Sequence, residues 1–170
     1  MKGKYVIVTI AILLVSLMTW TSLNSDQNSS FPESLGEMKL TSQVVGPEAI
    51  ESTRQLHGNS AKVQMTDAAI LVYRSGSAES TIWVSRTENS EQAASLMDAM
   101  NDAIDPGDGF STPVIMSIPR AESIIVYYVY GYGSDHYYYL KEDSVYWIAV
   151  NGLTDAARLK LVAEAISTLG

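Results

Sequence analysis

One order of elements occurs twice along the chain and limits the possible folds more than any other feature. The stretches "TIWVSRTENSEQAASLMDAM" and "VYWIAVNGLTDAARLKLVAEAI" each contain a strand with a central tryptophan, a short polar loop and an amphipathic helix. Trp83 and Trp147 correspond in this comparison, and a second strand precedes each unit. The pattern indicates a possible tandem β-β-α pseudo-repeat. Because hairpins beside helices favour an antiparallel sheet with the helices on one face, the predicted class is α+β.

Polar capping residues predict where the helices begin. The first repeated helix is expected to start after Asn89, with Gln92 three residues on, and the second after Thr154. Their predicted buried faces are Ala93, Leu96, Met97, Met100 and Ile104 in the first, and Leu159, Val162, Ile166 and Leu169 in the second. A further helix is predicted in "GPEAIESTRQLHG". Its last turn would hold His57, which can bond free carbonyls there.

The remaining apolar runs predict strands. "AAILVYRSGSAESTIWVSR" indicates a hairpin around Ser-Gly-Ser, and "TPVIMSIP" a short strand between two prolines. "SIIVYYVY", "HYYYLK" and "SVYWIAV" are rich in the residues that favour strands, and each is expected to form one.

The N-terminus predicts a membrane segment. Lys2 and Lys4 precede a stretch with no charged residue from Tyr5 to Asn24. As a helix, residues 5–23 would span ~28 Å, about the thickness of a thin bilayer. The segment is interpreted as either an uncleaved transmembrane signal anchor or a cleaved signal peptide. The protein is therefore expected at the cell membrane, single-pass with its C-terminal domain outside, or secreted if the leader is cleaved.

The predicted organisation has four parts: a cytoplasmic N-terminus over 1–4, the anchor or signal peptide over 5–23, a flexible stalk over 24–38, and an extracytoplasmic α+β domain over 39–170. The stalk is rich in Ser and Asn. Asn28 stands in a glycosylation sequon, although such a match also arises by chance in a Ser/Asn-rich tract.

Composition excludes several classes of site and partner. The formal net charge of −8 and the lack of a basic patch argue against nucleic acid. The absence of cysteine excludes thiol nucleophiles, thiolate metal sites and disulfides. No metal ligand motif, phosphate loop or cofactor fingerprint is present, so no cofactor, metal site or catalytic residue is predicted.

The stretch "YYVYGYGSDHYYYL" is the candidate binding surface, because it holds seven of the ten tyrosines. A five-residue turn would pair Tyr130 with His136 and Tyr128 with Tyr138 on one face of a hairpin. A purely structural aromatic hairpin is the favoured interpretation, and these four residues are the predicted ligand-binding surface if the protein has one. His136 is otherwise expected to be a solvated residue at a strand end.

The sequence favours a binding or scaffolding module of the cell envelope over an enzyme. It would attach to the membrane through its N-terminal helix and contact an envelope protein or a small-molecule ligand. One alternative is a carboxylate-dependent hydrolase of envelope glycans that uses pairs such as Asp135 and Glu142. The other is a structural subunit of a membrane complex, for which an exposed apolar patch would be the sign.

Overall fold

The computed structural model of the protein describes residues 31–57 and 64–169. The predicted membrane segment over 5–23 and the sequon at Asn28 lie outside these residues. Within the described ranges, no helix is long and apolar enough to span a membrane.

The described residues form eight β-strands and three α-helices. In chain order they are β1 (Ser34–Leu35), β2 (Met38–Val45), α1 (Pro47–His57), β3 (Met65–Ser75), β4 (Ala78–Thr87), α2 (Ser90–Ala103), β5 (Val114–Met116), β6 (Val126–Gly131), β7 (Ser134–Lys141), β8 (Ser144–Asn151) and α3 (Asp155–Thr168). A short 3-10 helix, Pro106–Asp108, lies between α2 and β5. The predicted strands and helices are all present, whereas β1 and β2 had not been predicted as strands.

All eight strands belong to one antiparallel sheet in the order β1-β2-β3-β4-β8-β7-β6-β5. The predicted α+β class and antiparallel sheet are therefore confirmed. Both β-β-α units are present, as β3-β4-α2 and β7-β8-α3. They meet at the centre of the sheet, where Trp83 of β4 lies directly opposite Trp147 of β8.

The helices cover both faces of the sheet, and the prediction that they share one face was wrong. Helix α3 packs with Tyr137 and Tyr139, whereas α2 packs with Tyr138 on the opposite face. Helix α1 packs over β2 and β3, near Trp83. Since successive side chains of a strand point to opposite faces, the fully buried run from Tyr137 to Tyr139 needs cover on both sides.

The predicted helix caps are confirmed. Asn89 Oδ1 accepts a hydrogen bond from the Gln92 N–H at 3.0 Å, and Thr154 Oγ1 accepts one from the Ala157 N–H at 3.4 Å. The buried face of α2 is the predicted one, with Ile104 half-buried. Of the face predicted for α3, Val162, Ile166 and Leu169 are buried and Leu159 is partly buried. Leu161 and Ala165 are buried beside them. His57 ends α1, and its side chain lies outside the described part of the chain.

The predicted stalk over 24–38 extends too far into the domain. Leu35 and Met38 are fully buried in the core, and Phe31 packs against it. The Tyr73 hydroxyl donates to the Pro32 carbonyl at 2.9 Å. Residues 31–38 therefore belong to the folded domain, because their few apolar side chains fill the edge of the core beside α3.

Candidate functional site

The β6–β7 hairpin has a two-residue turn and not the predicted five-residue turn. Tyr132 and Gly133 occupy it with φ of 51° and 78°, which is the pattern of a type I′ turn. Gly131 consequently pairs with Ser134, and Tyr128 pairs with Tyr137. The predicted register, with Tyr128 opposite Tyr138, was wrong by one residue.

This register separates the four predicted ligand-binding residues. Tyr128 and Tyr130 point to the face covered by α3, whereas His136 and Tyr138 point to the face covered by α2. A shift of one residue exchanges the faces of a strand, and the predicted common surface therefore does not form. Only Tyr130 of the four is exposed.

His136 is a buried, neutral residue, and the expectation of a solvated strand-end histidine was wrong. Its Nδ1 accepts a hydrogen bond from Trp147 Nε1 at 3.0 Å, so its Nε2 carries the proton and donates to the Gly131 carbonyl at 3.0 Å. Burial lowers the pKa of His136 below its usual value of 6.5. Both ring nitrogens are occupied, which leaves no atom for proton transfer or metal binding.

Tyr138 also has a structural role. Its ring is fully buried and stacks on Trp147 at 4.9 Å and on Tyr127 at 5.2 Å between ring centroids. Its hydroxyl donates to Asn101 Oδ1 of α2 at 2.9 Å. Burial raises the pKa of Tyr138 to about 12, so the hydroxyl stays protonated and joins the helix to the sheet.

Tyr128 belongs to a polar network at the start of α3. Its hydroxyl donates to Asp135 Oδ1 at 2.8 Å, and the other carboxylate oxygen forms an ion pair with Arg158. Arg158 also pairs with Asp155 at 3.0 Å. Burial, and then the bond to Asp135, raise the pKa of Tyr128 to about 12. Both oxygens of Asp135 are engaged, so this carboxylate ties β6 and β7 to α3.

The carboxylates do not form the pair that a glycoside hydrolase needs. Asp135 lies at the start of β7 and Glu142 follows its end, so the strand separates them by roughly 24 Å at ~3.4 Å per residue. Catalytic pairs lie ~5 to 9.5 Å apart. The predicted use of Asp135 with Glu142 is therefore excluded. Within the described ranges, no cluster of three or more His, Asp or Glu residues could hold a metal ion.

The exposed apolar side chains are concentrated at one edge of the sheet. Five of the six large hydrophobic residues exposed in the described part of the chain lie on or beside β5 and β6: Val114, Ile115, Ile125, Tyr130 and Tyr132. Ile115 is the most exposed of them, at 68%. The sixth, Val45, lies at the end of β2 near the opposite edge.

The strands at this edge carry no charged residue, and the exposed Arg120 and Glu122 lie in the loop that joins them. Residues 109–119 and 123–134 contain no Asp, Glu, Lys or Arg, in a chain whose net charge is −8. We call these two segments the β5 edge. Of this surface, Tyr130 alone was predicted from the sequence. The absence of charge from residues 109–119 and 123–134 is the signal that could have located it, because exposed sheet edges normally carry charged side chains.

The chain has little detectable similarity to known proteins. No protein-family model matches its sequence, and no curated protein matches it. Among solved structures, it resembles the extracellular domain of PknH from Mycobacterium tuberculosis, with 9% sequence identity and a TM-score of 0.46. The superposition covers 78% of this chain and 85% of that chain. At this level the likeness carries no statement about the present chain.

Proposed function

We propose that the protein is an extracytoplasmic module, tethered to the membrane or secreted, that binds a protein partner through the β5 edge and performs no catalysis of its own. The observation that carries the proposal is the concentration of exposed apolar residues on an uncharged sheet edge. Apolar patches that are rimmed by polar residues are typical of protein–protein contact sites. An edge strand also offers unpaired backbone groups to which an extended segment can bond.

The β5 edge suits a protein partner better than the depression at β3 and β4 suits a small molecule. Small-molecule sites are concave and have volumes of about 300–1,000 Å³. A depression beside β3 and β4 has a volume of only about 190 Å³ and is lined by Phe31, Asp67, Ala68, Ala69, Val84, Arg86 and Leu169. The β5 edge, by contrast, projects Ile115 and Val114 outward. Projecting apolar side chains suit a contact with another macromolecular surface.

The position of the N-terminus supports the same proposal. The described chain enters the domain at Phe31, which lines the depression at β3 and β4, and β5 forms one edge of the sheet. Four strand spacings of ~4.8 Å separate β4 from that edge by roughly 19 Å. If residues 5–23 occupy the membrane, residues 24–30 span at most ~25 Å. A tether of this kind leaves the β5 edge accessible to a partner.

Position-specific cross-linking tests the proposed contact. The chain has no cysteine, so a single cysteine replacing Ile115 can carry a thiol-linked photo-cross-linker in native membranes. Val45→Cys is the matched control, because Val45 is also exposed but lies outside the β5 edge. We expect adducts at position 115 and none at 45. Equal adduct formation at both positions, or none at either, would overturn the proposal.

The proposed location is tested with the Val45→Cys variant by itself. A membrane-impermeant maleimide should label this exposed cysteine in intact cells or spheroplasts as strongly as after lysis. Labelling that requires lysis would place the domain on the cytoplasmic side and refute the extracytoplasmic location.

A further inference from the structure

The backbone of Ile115 is the part of β5 that faces outward. The Ser111 N–H donates to the Tyr130 carbonyl at 2.7 Å, and the Tyr130 N–H donates to Ser111 Oγ at 2.9 Å. The backbone of Tyr130 therefore points toward the β5 segment. Backbone direction alternates along an antiparallel strand, so Tyr128 and Val126 point the same way.

The partners of Tyr128 and Val126 determine the direction of the Ile115 backbone. Val114 pairs with Tyr128 and Met116 with Val126, so both bond toward β6. Ile115 lies between them, and its N–H and C=O must then point to the open side of the sheet. Pro113, two residues earlier, has no N–H to offer, which is common on edge strands.

We propose that a second copy of this chain binds there, with the two β5 strands pairing antiparallel about a twofold axis at Ile115. The proposal rests on the binding function proposed above and names its partner. The Ile115 N–H of each copy would donate a hydrogen bond to the Ile115 carbonyl of the other copy. Val114 of each copy would then lie opposite Met116 of the other, and the two sheets would become continuous.

The charge distribution favours a second copy. A twofold interface brings the same patch together from both subunits, so it must be complementary to itself. An uncharged apolar strand meets this condition, whereas the rest of this chain, with a net charge of −8, would repel itself. A basic partner, in turn, would find no carboxylate within the β5 edge.

The opposite edge of the sheet does not extend the assembly. It is formed by β1, which has only two residues, and by β2. Exposed charged residues, Glu33, Glu37 and Lys39, surround β1, and charges of this kind block edge pairing. Within the described ranges, the β1 edge is therefore less suited to self-pairing than β5, and pairing through β5 about a twofold axis closes as a dimer.

A charge-exchange experiment on the full-length chain tests the pairing. Two differently tagged copies are expressed together, and their co-purification from mild detergent is measured. We expect wild-type copies to co-purify and Ile115→Lys copies to lose the association, because the two lysines would lie directly opposite each other. Ile115→Glu alone should lose it as well. Co-expression of the Lys and Glu variants should restore it.

The controls separate the pairing from effects on folding. Since Ile115 is exposed in the single chain, its substitution should leave a folded domain with a cooperative thermal transition. The same exchange at Val45 should leave co-purification unchanged. Higher salt should strengthen the association of wild-type copies, because it screens repulsion between two acidic chains.

Two outcomes would overturn the dimer. Wild-type copies that do not co-purify, or Lys-only copies that associate as well as wild type, refute pairing at Ile115. The cross-linker at position 115 then distinguishes the two proposals. An adduct with a different protein at 115, and not at 45, leaves the binding function standing, whereas the absence of any adduct removes both.

Discussion

Tyr139 allows a direct test of what an unpaired hydroxyl costs in the aromatic core. Its ring is fully buried and stacks on Tyr146, with centroids 4.7 Å apart and an angle of 7° between the planes. Its hydroxyl is buried and has no hydrogen-bond partner among the described residues. Burial raises the pKa of Tyr139 well above 10. An unsatisfied buried hydroxyl of this kind costs about 1–3 kcal/mol.

Tyr139→Phe should therefore stabilise the protein. The substitution removes the hydroxyl and keeps the stacked ring, so we expect a gain of about 1–2 kcal/mol in the free energy of unfolding. In a domain of this size that corresponds to a rise of roughly 3–6 °C in the thermal midpoint. Urea denaturation, followed by the fluorescence of the three tryptophans, measures the change directly.

Tyr146→Phe is the matched control with the opposite expected sign. The Tyr146 hydroxyl donates to the Leu169 carbonyl at 2.9 Å, in the same part of the core. Its removal should destabilise the protein by about 1 kcal/mol, because it removes a hydrogen bond and leaves a carbonyl unpaired. A loss of stability in Tyr139→Phe would refute the reasoning, since it would mean that the Tyr139 hydroxyl contributes a favourable bond.

Three further predictions concern pH, backbone conformation and charge. Burial lowers the pKa of His136 in the folded state, so the unfolded chain binds more protons. The free energy of unfolding should therefore be constant above about pH 6.5 and fall as pH decreases toward the folded pKa. That part of the pH slope should be missing in His136→Gln when unfolding is measured between pH 8 and 5. Gly152→Ala should destabilise the protein more than Gly133→Ala in urea denaturation. Both glycines have a positive φ, which costs an alanine ~1–2 kcal/mol. Only at Gly152 would the added Cβ lie 2.9 Å from the backbone of a neighbouring segment. Asp135→Asn should lower the free energy of unfolding by about 1–3 kcal/mol, and Asp155→Asn by under about 1 kcal/mol. The reason is that only Asp135 is largely buried beside Arg158, with which both carboxylates pair. Equal losses of stability would contradict this assignment.

Local patterns predicted most of the secondary structure correctly. The caps at Asn89 and Thr154 each depend on a side chain and a backbone group three residues away, so short stretches of sequence contain the necessary information. The hairpin around Gly76 follows in the same way from turn residues between two apolar runs. The order of elements then determines the α+β class.

The register of the β6–β7 hairpin could not be predicted from its residues. Both faces of β7 are aromatic, so a shift of one residue exchanges one tyrosine set for another with no change in apolar pattern. The turn at Tyr132 and Gly133 decides between the two registers, and tyrosine is an uncommon residue at positive φ. The predicted binding surface required the other register. In the observed register its residues lie on opposite faces of the sheet, with Tyr128 and Tyr130 on one face and His136 and Tyr138 on the other.

The sequence by itself determined the helices and all strands except β1 and β2, because capping, periodicity and turn chemistry act over a few residues. Only the tertiary structure decided which side chains face outward. Burial of Leu35 and Met38, cover of both sheet faces and exposure of Ile115 all depend on contacts between segments far apart in the chain. Exposure is a property of the packed molecule, so the β5 edge became recognisable as a surface only after the eight strands were placed in order.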